Sequence, residues 1–356
     1  GGVGDFYYTP PTGYKALCTK NLPAPAIADP SEHFNTIVYD DGAGAKTGVG
    51  FQPDLVWLKS RGSSYENELT DSVRGVTKAI SSDSNNAETT DSTGLTAFGT
   101  DGFTVGADTN YCDTTGDGMV AWCWKAGGAA VTNDDGSEDT SVSANTTAGF
   151  SIVKYTGTGG TATFGHGLSV APDIVFMKNL DADAQWMGYI GNIVSENNIV
   201  LNSSGVASTE SSYTYGVFGA STFALNQNAD NNASGDDFIA YCFHSVEGYS
   251  KVGSYTGNDD ADGTFVYTGF RPAFVMVRRT AGENWAITDS ARSPDNVADA
   301  YLRADESTAE TTYSMKMDLL SNGFKFRGTD TKSNGDDDTY IYMAFAERPL
   351  KYARAR

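Results

Sequence analysis

Gly50-Phe51-Gln52-Pro53-Asp54-Leu55-Val56-Trp57-Leu58-Lys59 is the first of three similar stretches in this chain. It returns as Ser169-Val170-Ala171-Pro172-Asp173-Ile174-Val175-Phe176-Met177-Lys178, and again as Gly269-Phe270-Arg271-Pro272-Ala273-Phe274-Val275-Met276-Val277-Arg278. Each copy places a proline before an apolar, β-branched or aromatic run of strand length, which is how a core strand begins. Upstream of each lies a similar opening strand, at 34–39, 150–155 and 249–255. Downstream, each closes on an acidic turn and an apolar strand. These are Gly116-Asp117-Gly118-Met119-Val120-Ala121-Trp122-Cys123, Gly235-Asp236-Asp237-Phe238-Ile239-Ala240-Tyr241-Cys242, and the run from Asp337 to Ala346. The prolines and the closing positions Cys123, Cys242 and Ala346 give matching offsets, roughly 120 and then roughly 100 residues, the size of a small domain.

The expected fold class is therefore all-β, with three tandem homologous antiparallel β-sandwich domains of jelly-roll-like character at 34–130, 145–247 and 248–356. Short alternating apolar runs, separated by Gly, Asn, Asp, Ser and Thr clusters, fill each unit. Phe103-Thr104-Val105, Phe223-Ala224-Leu225 and Phe324-Lys325-Phe326 are one strand in three copies. The pattern leaves strand order open. Short helical turns are expected only at 295–302 and 313–320. Residues 1–33 stand outside the repeat: Phe6-Tyr7-Tyr8 reads as a strand, and Pro23, Pro25 and Pro30 as a stiff linker. One hairpin cannot bury a face alone, so this segment is expected to lean on the first repeat or complete another domain. The chain opens Gly1-Gly2 rather than Met, which is compatible with a fragment of a longer polypeptide.

The net charge of −21 argues against nucleic acid as a partner, because phosphate recognition needs clustered Lys and Arg. It argues equally against docking on an anionic membrane surface. No apolar run approaches the ~20 residues of a membrane helix, so no membrane insertion is expected. Of the 4 cysteines, Cys123 and Cys242 occupy one repeat position, so each reads as a small buried residue of its own core. The competing reading is a disulfide or metal pair.

Nucleophilic catalysis needs a nucleophile, a base and an orienting group. The histidines are His33 in the linker, His166 in a Gly-rich hairpin, and His244 two residues after Cys242. A Cys242–His244 dyad competes with the reading of His244 as a surface residue at a strand end, where the other repeats carry Lys125 and Arg348. Asp259, Asp260 and Asp262 are weak calcium candidates. The stretch around them is acidic and Gly-terminated but lacks a full calcium-loop spacing and its distal Glu. Glu68-Leu69-Thr70-Asp71-Ser72-Val73-Arg74 matches Trp285-Ala286-Ile287-Thr288-Asp289-Ser290-Ala291-Arg292, and the second repeat lacks the pattern. It reads as a strand entering an Asp-Ser turn, or as a polar site on the first and third copies. Trp122 and Trp124 share a strand face opposite Cys123. That aromatic face suits packing against a neighbouring sheet or subunit, or a sugar ring.

The Pro-Asp-(Leu/Ile)-Val-x-(Leu/Met)-Lys units, the Asn-Gly-Phe or Asp-Gly-Phe strand and the closing run 340–349 together resemble an uncharacterised repeat domain of marine tailed-phage virion structural proteins. The opening run 6–23 resembles the C-terminal end of a SPRY-like, lectin-like domain that often precedes it. The resemblance implies a non-enzymatic virion structural protein, such as a tail fibre, appendage or capsid-surface component, assembled in a host cytoplasm and working as a homotrimer beside other virion proteins. The alternative is an extracellular carbohydrate-binding or adhesion protein recognising host cell-surface glycans. Neither reading brings a catalytic residue or a cofactor beyond the calcium candidates.

Overall fold

The computed structural model describes residues 7, 8, 11, 12, 14, 21–191, 193–209, 215–312 and 315–351. The chain is built of antiparallel sheets, and one strand order recurs three times. In the first repeat the large sheet runs Phe34–Tyr39, Met119–Trp124, Leu55–Ser60, Glu68–Asp71 and Lys78–Ser81. In the second repeat the same positions are Phe150–Thr156, Asp237–Phe243, Ile174–Asn179, Met187–Ile190 and Asn198–Val200. The third uses Ser250–Thr256, Thr339–Pro349, Phe270–Arg279, Ala286–Asp289 and Leu302–Arg303. Behind each large sheet stands a three-stranded sheet: Gly44–Thr47, Gly102–Val105 and Leu95–Gly99 in the first repeat, with equivalents in the others. Each repeat is thus a two-sheet sandwich, with its own outer apolar core.

Strand alternation gives each large sheet a second apolar face, and the three inner faces meet in one central core. The paired third and closing strands supply equivalent core positions in all three repeats. Leu55, Ile174 and Phe274 form one layer with Trp124, Phe243 and Phe345. Trp57, Phe176 and Met276 form the next with Trp122, Tyr241 and Met343. The rings interlock across repeats: Phe34 lies 5.0 Å from Phe345 and 5.7 Å from Phe274, and Trp124 lies 6.3 Å from Phe243. Such contacts are specific as well as apolar. The aromatic face of Trp122 and Trp124 therefore packs against neighbouring sheets of the same chain, while Cys123 points into the outer core of its own sandwich.

Several expectations are corrected. Strand register aligns Cys123 and Cys242 with Ala344, not Ala346. The third repeat has two more residues between its proline and its closing strand (72 from Pro272 to Ala344, against 70 from Pro53 to Cys123 and 70 from Pro172 to Cys242), an even number that preserves which face each side chain takes. A bulge at Ala273, beside a proline that cannot donate to the ladder, lies at the start of its third strand. Met317–Leu320 is a strand rather than a helical turn, because Met317 and Leu319 both enter the third outer core. Residues 295–301 are irregular, pinned by bridges from Ala298 to Met317 and from Tyr301 to Thr311, and Leu302 begins a strand. The α-helix among the described residues is Ala229–Asn232, and Pro30–Glu32 forms a 3-10 turn. The stretch left between the first two units belongs to the second: Val131–Asn133 and Thr140–Asn145 extend its large sheet. Of the expected strand 6–8, Tyr7 and Tyr8 lie in a bend and are exposed, and Phe6 lies outside the described residues. The linker leans on the body: Ile27 enters the central core, and Asp29 pairs with Arg348 at 2.7 Å.

Candidate functional site: a polar pocket on the pseudo-three-fold axis

The central core changes character along its axis. After the two apolar residues of each third strand, the next inward position is cationic in every repeat: Lys59, Lys178 and Arg278, all fully buried. A buried cation without partners is costly, and each is caged by backbone carbonyls. Lys59 Nζ donates to the carbonyls of Ser60, Ser63 and Tyr65 at 2.9–3.1 Å. Lys178 reaches Asn179, Ala184 and, across the junction with the first repeat, Asn85. Arg278 reaches the Val200 and Gly205 carbonyls of the second repeat. Burial pulls both lysines down to about 8, and Arg278 down to about 10.

The junctions between repeats form a head-to-tail ring. Trp186 Nε1 donates to Ser81 O of the first repeat, Trp285 Nε1 to Val200 O of the second, and Asn67 Nδ2 to Glu306 O of the third. All three donors precede the fourth strand of their repeat. At the far end of that strand, Asp71 accepts Tyr241 Oη at 2.8 Å and pairs with Arg74 at 2.5 Å. Asp289 likewise accepts Trp122 Nε1 at 3.0 Å and pairs with Arg292 at 2.6 Å. The repeated Asp-Ser-x-Arg turn is therefore a lock between repeats. In the second repeat the Asp position is Ile190, and the receiving position on the third repeat is Met343; both lie in the central core. Acceptor meets donor at two junctions, and apolar meets apolar at the third.

Above the three cations, equivalent loops of all three repeats surround a cavity of about 720 Å³. The first repeat contributes Glu66, Asp83, Ser84 and Asn85, the second Gln185, Asn202 and Ser203, and the third Glu306, Ser307 and Thr308. The loops are built alike: Asp83, Asn202 and Asp305 each accept the backbone N–H of the residue before the fourth strand, at 2.9 Å. Burial raises the Asp83 carboxyl, and raises Asp305 to about 6. Nearby Glu68 is pushed to about 8, first by burial and then by Glu66.

The residues singled out from sequence lie elsewhere. Asp259, Asp260 and Asp262 are exposed, and Asp262 is engaged by Lys325 and Arg327 at 3.1 and 3.2 Å. Among the described residues no three His, Cys, Asp or Glu side chains group as a metal site. Cys112, Cys123 and Cys242 are buried free thiols, and Cys18 lies outside the described residues. Burial raises Cys242 to about 12, and its core position provides no base. His244 is buried rather than a surface residue, with Nδ1 on Ser245 O. His166 is buried within its own hairpin, accepting from Leu168 N. The axial pocket was not legible from any single motif. Its one signal is the Lys, Lys and Arg at the same place in three otherwise apolar strands.

A family model described as a domain of unknown function (DUF7483) matches residues 29–349, and the chain belongs to that family. No curated protein and no solved structure matches it. Among the described residues no helix is long and apolar enough to cross a membrane.

Proposed function

We propose that this protein is a non-enzymatic structural component of a virion, a tail fibre, appendage or capsid-surface protein, with its three-lobed body as a rigid building block. The observation that carries this reading is ring closure within one chain. Three sandwiches spend their largest aromatic faces and their buried Asp–Arg pairs on holding one another, which suits a shape-defining part. The likeness of the repeat motifs to phage structural proteins supports the same conclusion. Self-association in the particle then uses outer faces or stacking along the pseudo-three-fold axis, because the aromatic core is already filled. Purified particles, analysed by mass spectrometry and imaged by electron microscopy, test the reading. The expected result is the chain in integral copy number at one position of the particle; its absence, or polysaccharide turnover by the purified protein, overturns it.

A second reading, adhesion to a host surface glycan, is favoured by one observation: the polar axial pocket, of a size typical for small-ligand sites.

A further inference from the structure

We propose that the axial pocket binds an uncharged, hydroxyl-rich ligand, a short neutral glycan segment, at one ligand per chain; this rests on the adhesion reading and names its site. The cavity holds about 720 Å³ and lies where three loops converge, so a single body fills it rather than three.

The chemistry of the lining selects the ligand class. Carboxylates of Glu66, Asp83 and Glu306 accept hydrogen bonds, whereas the amides of Asn85, Gln185 and Asn202 also donate. Ser84, Ser203, Ser307 and Thr308 add hydroxyls that do either. A sugar hydroxyl is itself donor and acceptor, so this mixture matches a polyol. A simple cation needs acceptors only, and would leave the donors unpaired. Among the described residues no Lys or Arg lines the pocket. The cations beneath it, Lys59, Lys178 and Arg278, direct their heads to backbone carbonyls. A sulfated, phosphorylated or sialylated glycan would therefore meet the carboxylates of Glu66, Asp83 and Glu306. Among the described residues the one cation in contact with them, Arg303, is already paired with Glu306 at 2.6 Å, so an acidic glycan is rejected.

The lining is also held in place before a ligand arrives. Glu66 accepts Ser81 Oγ at 3.1 Å, and Glu306 is clamped by Arg303 at 2.6 Å and Asn284 at 3.0 Å. Asn85 has its carbonyl fixed by Lys178 Nζ and by the Ala184 N–H. Such preorganisation lowers the ordering cost of binding. Because the three corners differ in side chain, the ligand adopts one orientation despite the three-fold backbone.

Calorimetric titration of the intact chain against paired neutral and sialylated or sulfated oligosaccharides tests the inference. Two variants accompany the wild type: Gln185→Trp, which fills the pocket from an exposed position, and Tyr267→Ala, which removes an exposed aromatic at a separate groove. The expected result is one-to-one binding of a neutral glycan, weakened at least tenfold by Gln185→Trp and unchanged by Tyr267→Ala, with both variants melting like the parent. Neutral-glycan binding that survives Gln185→Trp overturns the pocket assignment and leaves adhesion standing. Preference for the acidic glycans overturns the ligand class. Binding to none of them overturns both the pocket and the adhesion reading.

Discussion

Arg292→Ile tests whether the Asp-Ser-x-Arg turn is a lock. Asp289 and Arg292 have fully buried side chains, and Arg292 donates to Asp289 Oδ2 at 2.6 Å, to Glu310 at 3.0 Å and to Ile287 O at 2.9 Å. Removing the guanidinium leaves the Asp289 carboxylate in the core with only the Trp122 indole and its own turn amide as donors. Stranding one partner of a buried ion pair costs about 3–5 kcal/mol, whereas replacing the whole unit by well-packed apolar residues is often neutral. The protein already contains that replacement. Where the first and third repeats have Asp71 and Arg74 or Asp289 and Arg292, the second has Ile190 and Ile193, and the receiving side chain is Met343 instead of Tyr241 or Trp122. The triple variant Asp289→Ile/Arg292→Ile/Trp122→Met recreates that chemistry, and Glu310 keeps Arg61 at 2.7 Å. Urea unfolding followed by tryptophan fluorescence and near-ultraviolet circular dichroism measures both. The single variant should lose about 3–5 kcal/mol and the triple should recover more than half of it. A single-variant loss below about 1 kcal/mol, or strictly additive losses in the triple, would refute the lock.

Three further outcomes are expected. Gly102→Ala should destabilise by more than about 1 kcal/mol in the same urea assay, because φ is +148° and the new Cβ would stand 1.9 Å from Lys46 O. A neutral result would mean that this hairpin relaxes freely. Glu68, raised from 4.5 to about 8 in the fold, keeps its proton more tightly folded than unfolded, so its contribution is complete below pH 4.5 and is lost as pH rises to about 8. Glu68→Gln should flatten that decline, by on the order of 5 kcal/mol across the window, and an unchanged pH profile counts against a buried neutral carboxyl. In a Cys18→Ser variant, the buried thiols of Cys112, Cys123 and Cys242 should react with a thiol reagent only on unfolding; rapid labelling of the native protein would contradict the outer-core placement.

Much of this architecture can be read locally. Strand period and turn residues are short-range properties, so three copies of Pro53, Pro172 and Pro272 and of the Phe103-type strand suffice to set an all-β, three-fold repeat. Alternation also separates Trp122 and Trp124 from Cys123. What the alternation does not say is which surface meets each face. That choice depends on contacts between residues far apart in sequence, such as Phe34 with Phe345 or Trp122 with Asp289. The bulge at Ala273 escaped for the same reason, since register shows only when the partner strand is in place. Lys59, Lys178 and Arg278 read locally as strand-end cations, and become buried only because three sheets close over them. The axial pocket is the extreme case: its ten lining residues come from three repeats, so it exists only once the ring has closed. The sequence by itself determined the repeated unit and the two faces of its strands. Tertiary structure alone decided that those faces enclose one shared core and one axial site, because closure is a property of three units packed together and of none of them alone.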